Sequence, residues 1–253
     1  MLSTFFINRP IFATVISIVI VLIGAITFPL LPIEKTPDIT PPTVLVTARY
    51  PGANADVIAE NIDPARILAG TTSHGATMLE AGSIRHAGVG PTTLGAWTTS
   101  EAGLQNARHV AEFFTAAGIE TLAVDDVHSV VWNKLLINIG INAITALTGI
   151  KNGQLLDLES TRDISRAAVE EAMAVARAAN VRINEDAIAH VLEVAKATAA
   201  NRSSMGQDVD NRRQTEISTI NGYIVQEAGR LGLDAPVNRT LTALVETLQY
   251  HYK

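Results

Sequence analysis

The sequence contains no cysteine, which removes disulfides, thiolate zinc sites and cysteine nucleophiles from consideration. Aromatic residues make up only 5%, so the core must be aliphatic, and a hydrophobic fraction of 47% in 253 residues is ample to build one. The net charge of −6 is mild and no Lys/Arg cluster occurs, so nucleic acid is not an expected partner. The six histidines form no HExxH pair, and no carboxylates gather at ligand spacing, so no metal site is expected.

Charge is also missing from Pro10 to Ile33, PIFATVISIVIVLIGAITFPLLPI, between Arg9 and Glu34. As a helix that run would reach roughly 36 Å, enough for a bilayer core, and it predicts a membrane span over 10–33. Arg9 before the span biases its start toward the cytoplasm. Pro37, Pro41 and Pro42 then make a stiff exit, Thr43 to Tyr50 reads as a strand, and Pro51-Gly52 as a turn. Asn8 to Phe12, Pro37 to Pro42 and Tyr50 to Asn54 (YPGAN) resemble the N-terminus of a resistance–nodulation–division efflux pump. That resemblance implies a first transmembrane helix and a first porter strand. Neither proton-relay carboxylates nor a second apolar span follows, so transport by this chain alone is not expected.

From Glu60 the pattern changes. Arg66–Thr72 and Ala76–Leu79 read as strands around the turn-prone Ser73-His74-Gly75, and 84–97 as strand and loop. Residues 101–117 read as an amphipathic helix with Leu104, Ala107, Val110 and Phe113-Phe114 on one side, stopped by Gly118. A strand is expected at 119–124. Gly88, Gly90 and Gly95 are spaced wrongly for a G-x-G-x-x-G phosphate loop and open no helix. Beyond 126 all is helical. The segments are a buried helix, one from Thr161 with apolar Ile164, Ala167-Ala168, Ala172 and Val175, and one capped by Asn184. A single helix over 204–231 follows, then a last over 238–250 with Leu241, Leu244 and Leu248 in step.

The buried helix carries the first chemical signal. In VWNKLLINIGIN (131–142), Lys134, Asn138 and Asn142 share a stripe about 80° wide, while Leu135, Leu136, Ile137, Ile139 and Ile141 are apolar. Two readings of the stripe remain open by spacing alone. The polar groups bond to loops and helix ends, or they floor a cleft in which Lys134 donates a proton or pairs with an anion.

The second signal is NRSSMGQDVDNRRQTEISTING (201–222), where Ser203, Ser204 and Asp208 suit caps and turns, and Glu216 is placed within a helix as a carboxylate. Together with WNKLLINIGIN and RILAGTTSHGATMLEAGSIRHAGVGPTTLG, it resembles the ketopantoate reductases from about Ile58 to about Leu248. The resemblance implies NADPH as cofactor, a small 2-keto acid as substrate, and reduction of 2-dehydropantoate to pantoate. It implies Lys134 as the acid that protonates the developing alkoxide and Glu216 as the carboxylate that anchors substrate and lysine. By the same resemblance Asn138, Asn142 and Ser204 line the substrate. The partner helices of 127–253 suggest self-association, with a homodimer through that domain as one outcome.

The expected fold is α+β and mostly helical: an efflux-pump-like N-terminus over 1–59, a partial Rossmann-type segment over 60–126, and an all-helical domain over 127–253. The Gly-rich loop and first strands of a dinucleotide-binding domain are missing, so an incomplete cofactor side and an unpaired strand edge are expected. A join near 57–61 accounts for the two resemblances. The reductase reading places the protein in the cytoplasm, and retention of 10–33 places it at a membrane. The alternatives are a membrane-anchored or efflux-associated binding protein and a non-functional hybrid.

Overall fold

In the computed structural model the described residues are 62–63, 66–80 and 82–252, with only the backbone described for 76–80, Ile84 and Ala87. They belong to one compact unit, Tyr50–Lys253. The membrane span expected over 10–33, the strand over 43–50 and the join near 57–61 lie outside the described residues.

Five strands open the described chain: β1 (Leu68–Thr72), β2 (Gly75–Glu80), β3 (Ser83–Gly88), β4 (Thr92–Ala96) and β5 (Thr121–Val124). β1 runs antiparallel to β4, with Leu68 opposite Ala96 and Thr72 opposite Thr92. β4 runs parallel to β5, and helix α1 (Glu101–Ala116) makes the crossover between them, as a parallel pair requires. The order is β1-β4-β5, with β2 and β3 as a separate hairpin. Among the described residues β1 and β5 are the edges of this sheet. Gly88 ends β3 and Gly90 lies in the β3–β4 connection, before a strand rather than a helix. Gly95 has a packing reason: a Cβ there would stand 2.6 Å from Val127 Cβ and 2.8 Å from the Val124 carbonyl. Its absence lets the next helix sit down on the sheet.

That helix, α2 (Val127–Thr148), organises the rest. Asp126 caps it by accepting from Ser129 N at 3.0 Å, and Gly149 ends it at φ +73°, a conformation that costs other residues a Cβ clash. It is long and apolar enough to cross a membrane, yet here Leu136, Ile139, Ile141, Ala143 and Ile144 are core residues. It packs on β1 and β4 and on helices α3 (Glu159–Ala178), α4 (Ala187–Ala197), α5 (Ser204–Asp210) and α7 (Pro236–Gln249). A helix apolar around most of its girth is explained by neighbours on most sides.

Several expectations shift in register. The segment 204–231 is two helices, α5 and α6 (Asn221–Arg230), because 211–220 leaves helical geometry, with Arg212 at φ +52°. Glu216 therefore lies in the connector and not within a helix. On α3 the buried stripe is Thr161, Ser165, Ala168, Val169, Ala172, Val175 and Ala176, whereas Ile164 is exposed. On α7 it is Asn238, Leu241 and Val245; Leu244 and Leu248 face outward. Phe113 and Phe114 are also exposed, since α1 meets the sheet through the small residues Gly103, Ala107 and Ala111.

α7 has no cap of its own. Glu171 supplies one from α3: Val237 N and Asn238 N donate to its two carboxylate oxygens at 2.8 and 2.9 Å. Asn238 Nδ2 adds bonds to Glu171 Oε2 and the Ala168 carbonyl, and Asn221 Nδ2 donates to Asn238 Oδ1. A negative charge at a helix N-terminus is also favoured by the helix dipole.

Two stability outcomes follow from this packing. Gly140→Ala puts a methyl 2.6 Å from Val191 Cγ1 and 3.0 Å from Val169 Cγ2, and should destabilise by about 1–3 kcal/mol in urea unfolding. A variant as stable as wild type would mean that α3 and α4 yield freely. Glu171→Gln should cost about 1–2 kcal/mol, measured the same way, through the weakened cap on α7; no loss would show that the charge does not matter there.

Candidate active site on the central helix

The stripe predicted from spacing exists on α2, but it is graded in depth. Lys134 is exposed, Asn138 half-buried and Asn142 buried at 5% exposure. The polar face therefore runs from the open end of the helix into the bundle, over about 12 Å at 1.5 Å per residue. Lys134 Nζ donates to the carbonyl of Thr72 at 2.8 Å, which ties the ammonium to the end of β1. Asn138 makes no side-chain hydrogen bond among the described residues. Asn142 Nδ2 donates to Ser204 Oγ at 3.4 Å, so two residues far apart in sequence meet. Glu216 is exposed in the 211–220 connector, and no ion pair or hydrogen bond joins it to Lys134. The structure thus brings Asn142 to Ser204 and aligns Lys134 with both asparagines, while the ammonium is held by a backbone carbonyl and not by the carboxylate.

Sequence reasoning missed the residues that support this face. Thr145 Oγ1 donates within its own helix, with the Ile141 carbonyl at 2.8 Å, and meets Ser203 Oγ at 2.7 Å. Ser203 Oγ in turn accepts from Gly206 N at 3.0 Å and caps α5. The cap was legible from the Ser-Ser pair; its attachment to Thr145 was not, because nothing local links positions 58 residues apart. Arg202 and Asp210 form a two-bond ion pair alongside, at 2.9 and 3.0 Å. The Arg202 hydrogen bond holds the Asp210 carboxyl below the usual range, while burial pushes Asp208 up despite the opposing charge of Arg213.

Two clefts open beside β1, and neither is lined by Lys134, Asn138, Asn142 or Ser204. One of about 580 Å³ is lined by Thr72, His74, His86, Thr92, Leu94 and Phe114 among others. His74 Nδ1 and His86 Nε2 share a hydrogen bond of 3.0 Å there, and the turn that carries His74 also offers Lys134 its carbonyl. A second, of about 570 Å³, lies between β1, α2 and α6, with Trp97, His128, Trp132, Leu135, Thr219 and Tyr223 among its walls. A small ligand with a carboxylate and a carbonyl suits the α2 face chemically: an ammonium with two donors left over, a free amide, and a hydroxyl–amide pair.

Three family models match the chain. "Ketopantoate reductase PanE/ApbA C terminal" covers residues 126–249, "Ketopantoate reductase PanE/ApbA" covers 38–99, and "AcrB/AcrD/AcrF family" covers 2–66. The 2-dehydropantoate 2-reductase of Halobacterium salinarum is 39% identical over 198 residues, 78% of this chain and 64% of that protein. The Vibrio cholerae 2-dehydropantoate 2-reductase is 32% identical over 214 residues, 84% of this chain and 71% of that protein. The chain spans 64% and 61% of the lengths of the first two curated relatives it matches. Among solved structures, a ketopantoate reductase of the PanE/ApbA family from Ralstonia eutropha superposes with a TM-score of 0.71 at 30% identity, covering 79% of this chain and 64% of its own. D-mandelate dehydrogenase in complex with NADH superposes at 0.73 and 22% identity, covering 78% and 67%, a likeness of fold.

The charge pair beside the site sets a pH dependence. With its folded pKa lowered, Asp210 contributes stability that is present above the ordinary carboxylate range and lost as pH falls through the lowered value. Wild type should therefore exceed Asp210→Asn in urea stability at neutral pH, with the gap closing below about pH 4. A gap unchanged in acid would remove the carboxylate from the account.

Proposed function

Because the chain belongs to the ketopantoate reductase family, we propose that it binds 2-dehydropantoate on the α2 face and takes part in its reduction to pantoate with NADPH as reductant. The observation that carries the reading is the polar stripe itself. Lys134, Asn138 and Asn142 lie in line at the positions the family resemblance assigns, and Asn142 reaches Ser204 across the fold.

Lys134 is the proton donor in this reading. One of its three N–H groups is engaged by the Thr72 carbonyl, which fixes the ammonium while leaving two donors for a substrate oxygen. As the carbonyl carbon is reduced, charge builds on oxygen, and an adjacent ammonium lowers its cost before giving up a proton. Asn138 and Asn142 orient the substrate through amide donors and acceptors, with the Ser204 hydroxyl completing the floor. Glu216 anchors the lysine only if the 211–220 connector brings the carboxylate to it, because in this structure the two are not paired.

A nicotinamide dinucleotide also needs a pyrophosphate cradle of close backbone and free N–H groups at a helix N-terminus. The described residues do not fit that need. Two strand–loop–helix connections are described: β5 to α2 carries the carboxylates of Asp125 and Asp126, the latter already capping α2, and β4 to α1 runs Trp97-Thr98-Thr99-Ser100-Glu101. The Ser100 hydroxyl already accepts from Gly103 N at 3.1 Å, and a carboxylate follows in the first turn. The chemistry of these residues is therefore on the substrate side. The reading extends to a homodimer formed through the helical domain, where α7 leaves Leu244, Leu248 and Tyr250 outward, and to a cytoplasmic enzyme.

A second reading is favoured by the AcrB/AcrD/AcrF match over 2–66: a membrane-anchored or efflux-associated protein that uses the helical domain as a module, or a hybrid of two genes without function. Detection of the tryptic peptide Tyr50–Arg66 in the native source, in membranes washed with high salt, supports the anchored form; a soluble native chain excludes it.

The reductase reading is tested with the full chain and 2-dehydropantoate. Calorimetry should detect binding of the keto acid, and Lys134→Ala should weaken that binding about tenfold at an unchanged fold. Failure of the wild-type chain to bind the keto acid would overturn the reading.

A further inference from the structure

Asn142 Nδ2 and Ser204 Oγ are 3.4 Å apart, at the weak end of hydrogen bonding. That contact alone cannot set where the Ser204 hydroxyl stands. The restraint comes from the residues just before it. Arg202 has a side chain only 17% exposed, and its Nη1 donates to the carbonyl of Thr145 in the last turn of α2 and, at 2.8 Å, to that of Ile150 just past the helix end. Its Nε and Nη2 grip both oxygens of Asp210 at the far end of α5. The guanidinium also lies flat on the first turn of α5: a Cβ on Gly206 would stand 2.7 Å from Arg202 Cζ. One planar group thus ties the end of α2 to both ends of the seven-residue helix that begins with Ser204. Ser203 adds the local pin, capping α5 through Gly206 N and touching Thr145 Oγ1.

We infer that Arg202, oriented by Asp210, is a positioning residue that holds the Ser204 hydroxyl over the Asn142 end of the α2 stripe and so sets the affinity for the keto-acid substrate. The inference rests on the reading of Asn142 and Ser204 as substrate-facing. Arginine is required for geometric reasons. Two α2-end carbonyls and a carboxylate lie in different directions, and a forked guanidinium reaches all of them at once, whereas an ammonium is a single point of charge. α5 is too short to hold its orientation by its own hydrogen bonds, so an external tie decides it.

The experiment measures 2-dehydropantoate binding to the full chain by calorimetry, with thermal unfolding followed in parallel. Arg202→Met should weaken binding about tenfold. Asp210→Asn, which keeps the carbonyl bonds and guards against a misfolded Arg202 variant, should weaken it less. Arg202→Lys should restore part of the loss. Arg239→Met, which breaks a surface pair with Asp234, should leave affinity unchanged. The deciding measurement is a double-mutant cycle with Ser204→Ala. If Arg202 acts through the hydroxyl, Arg202→Met should cost less than about twofold once the hydroxyl is gone. Equal cost in both backgrounds, or no cost in either, overturns the inference and leaves the reductase reading standing. Absence of binding by wild type overturns the reductase reading and this inference with it.

Discussion

The burial of α2 is the constraint on which the rest depends. A 22-residue helix that must satisfy a sheet, four helices and its own polar stripe leaves little freedom to anything around it. Gly95 and Gly140 are small because α2 needs to come close to the sheet on one side and to α3 and α4 on the other. The stripe survives in such a core only because its depth is graded. The charged residue sits at the open end, where water and the Thr72 carbonyl satisfy it, and the neutral amides go deeper. An ammonium at the depth of Asn142 would be uncompensated, whereas an amide there needs only a hydroxyl.

Polar groups from remote segments finish what the central helix begins. Glu171 caps a helix 66 residues away, Ser203 pins to Thr145, and Arg202 closes the carbonyls at the end of α2. Each of these bonds satisfies a backbone or hydroxyl group that burial would otherwise leave costly. The same bonds fix the short helix α5 and so the serine at its start. Stability and the shape of the candidate site are in this way set by one group of interactions.

Two family matches meet near the start of the described residues. The efflux-type match and the reductase match overlap over 38–66, and the described sheet starts just beyond, with β1 at its edge. All six α-helices of the helical part contribute to its core, and side chains cap α2, α5 and α7; among the described residues the α/β part has a three-stranded sheet, a separate hairpin and one crossover helix.

The sequence by itself determined the elements whose reasons are local. Apolar periodicity marked α2, Gly118 stopped α1 at φ +90°, and the strand–turn–strand at 68–80 followed from β-prone runs around Ser73-His74-Gly75. Spacing also placed Lys134, Asn138 and Asn142 on one face, since a helix has a fixed 3.6-residue period. The tertiary structure decided everything that rests on contact between distant residues. The break of 204–231 at 211–220 moved Glu216 out of a helix, the buried stripes of α3 and α7 turned away from Ile164 and Leu244, and Lys134 found the Thr72 carbonyl. A period says which residues share a face, but the neighbours a face meets are chosen by packing across the whole chain, and no local pattern encodes that choice.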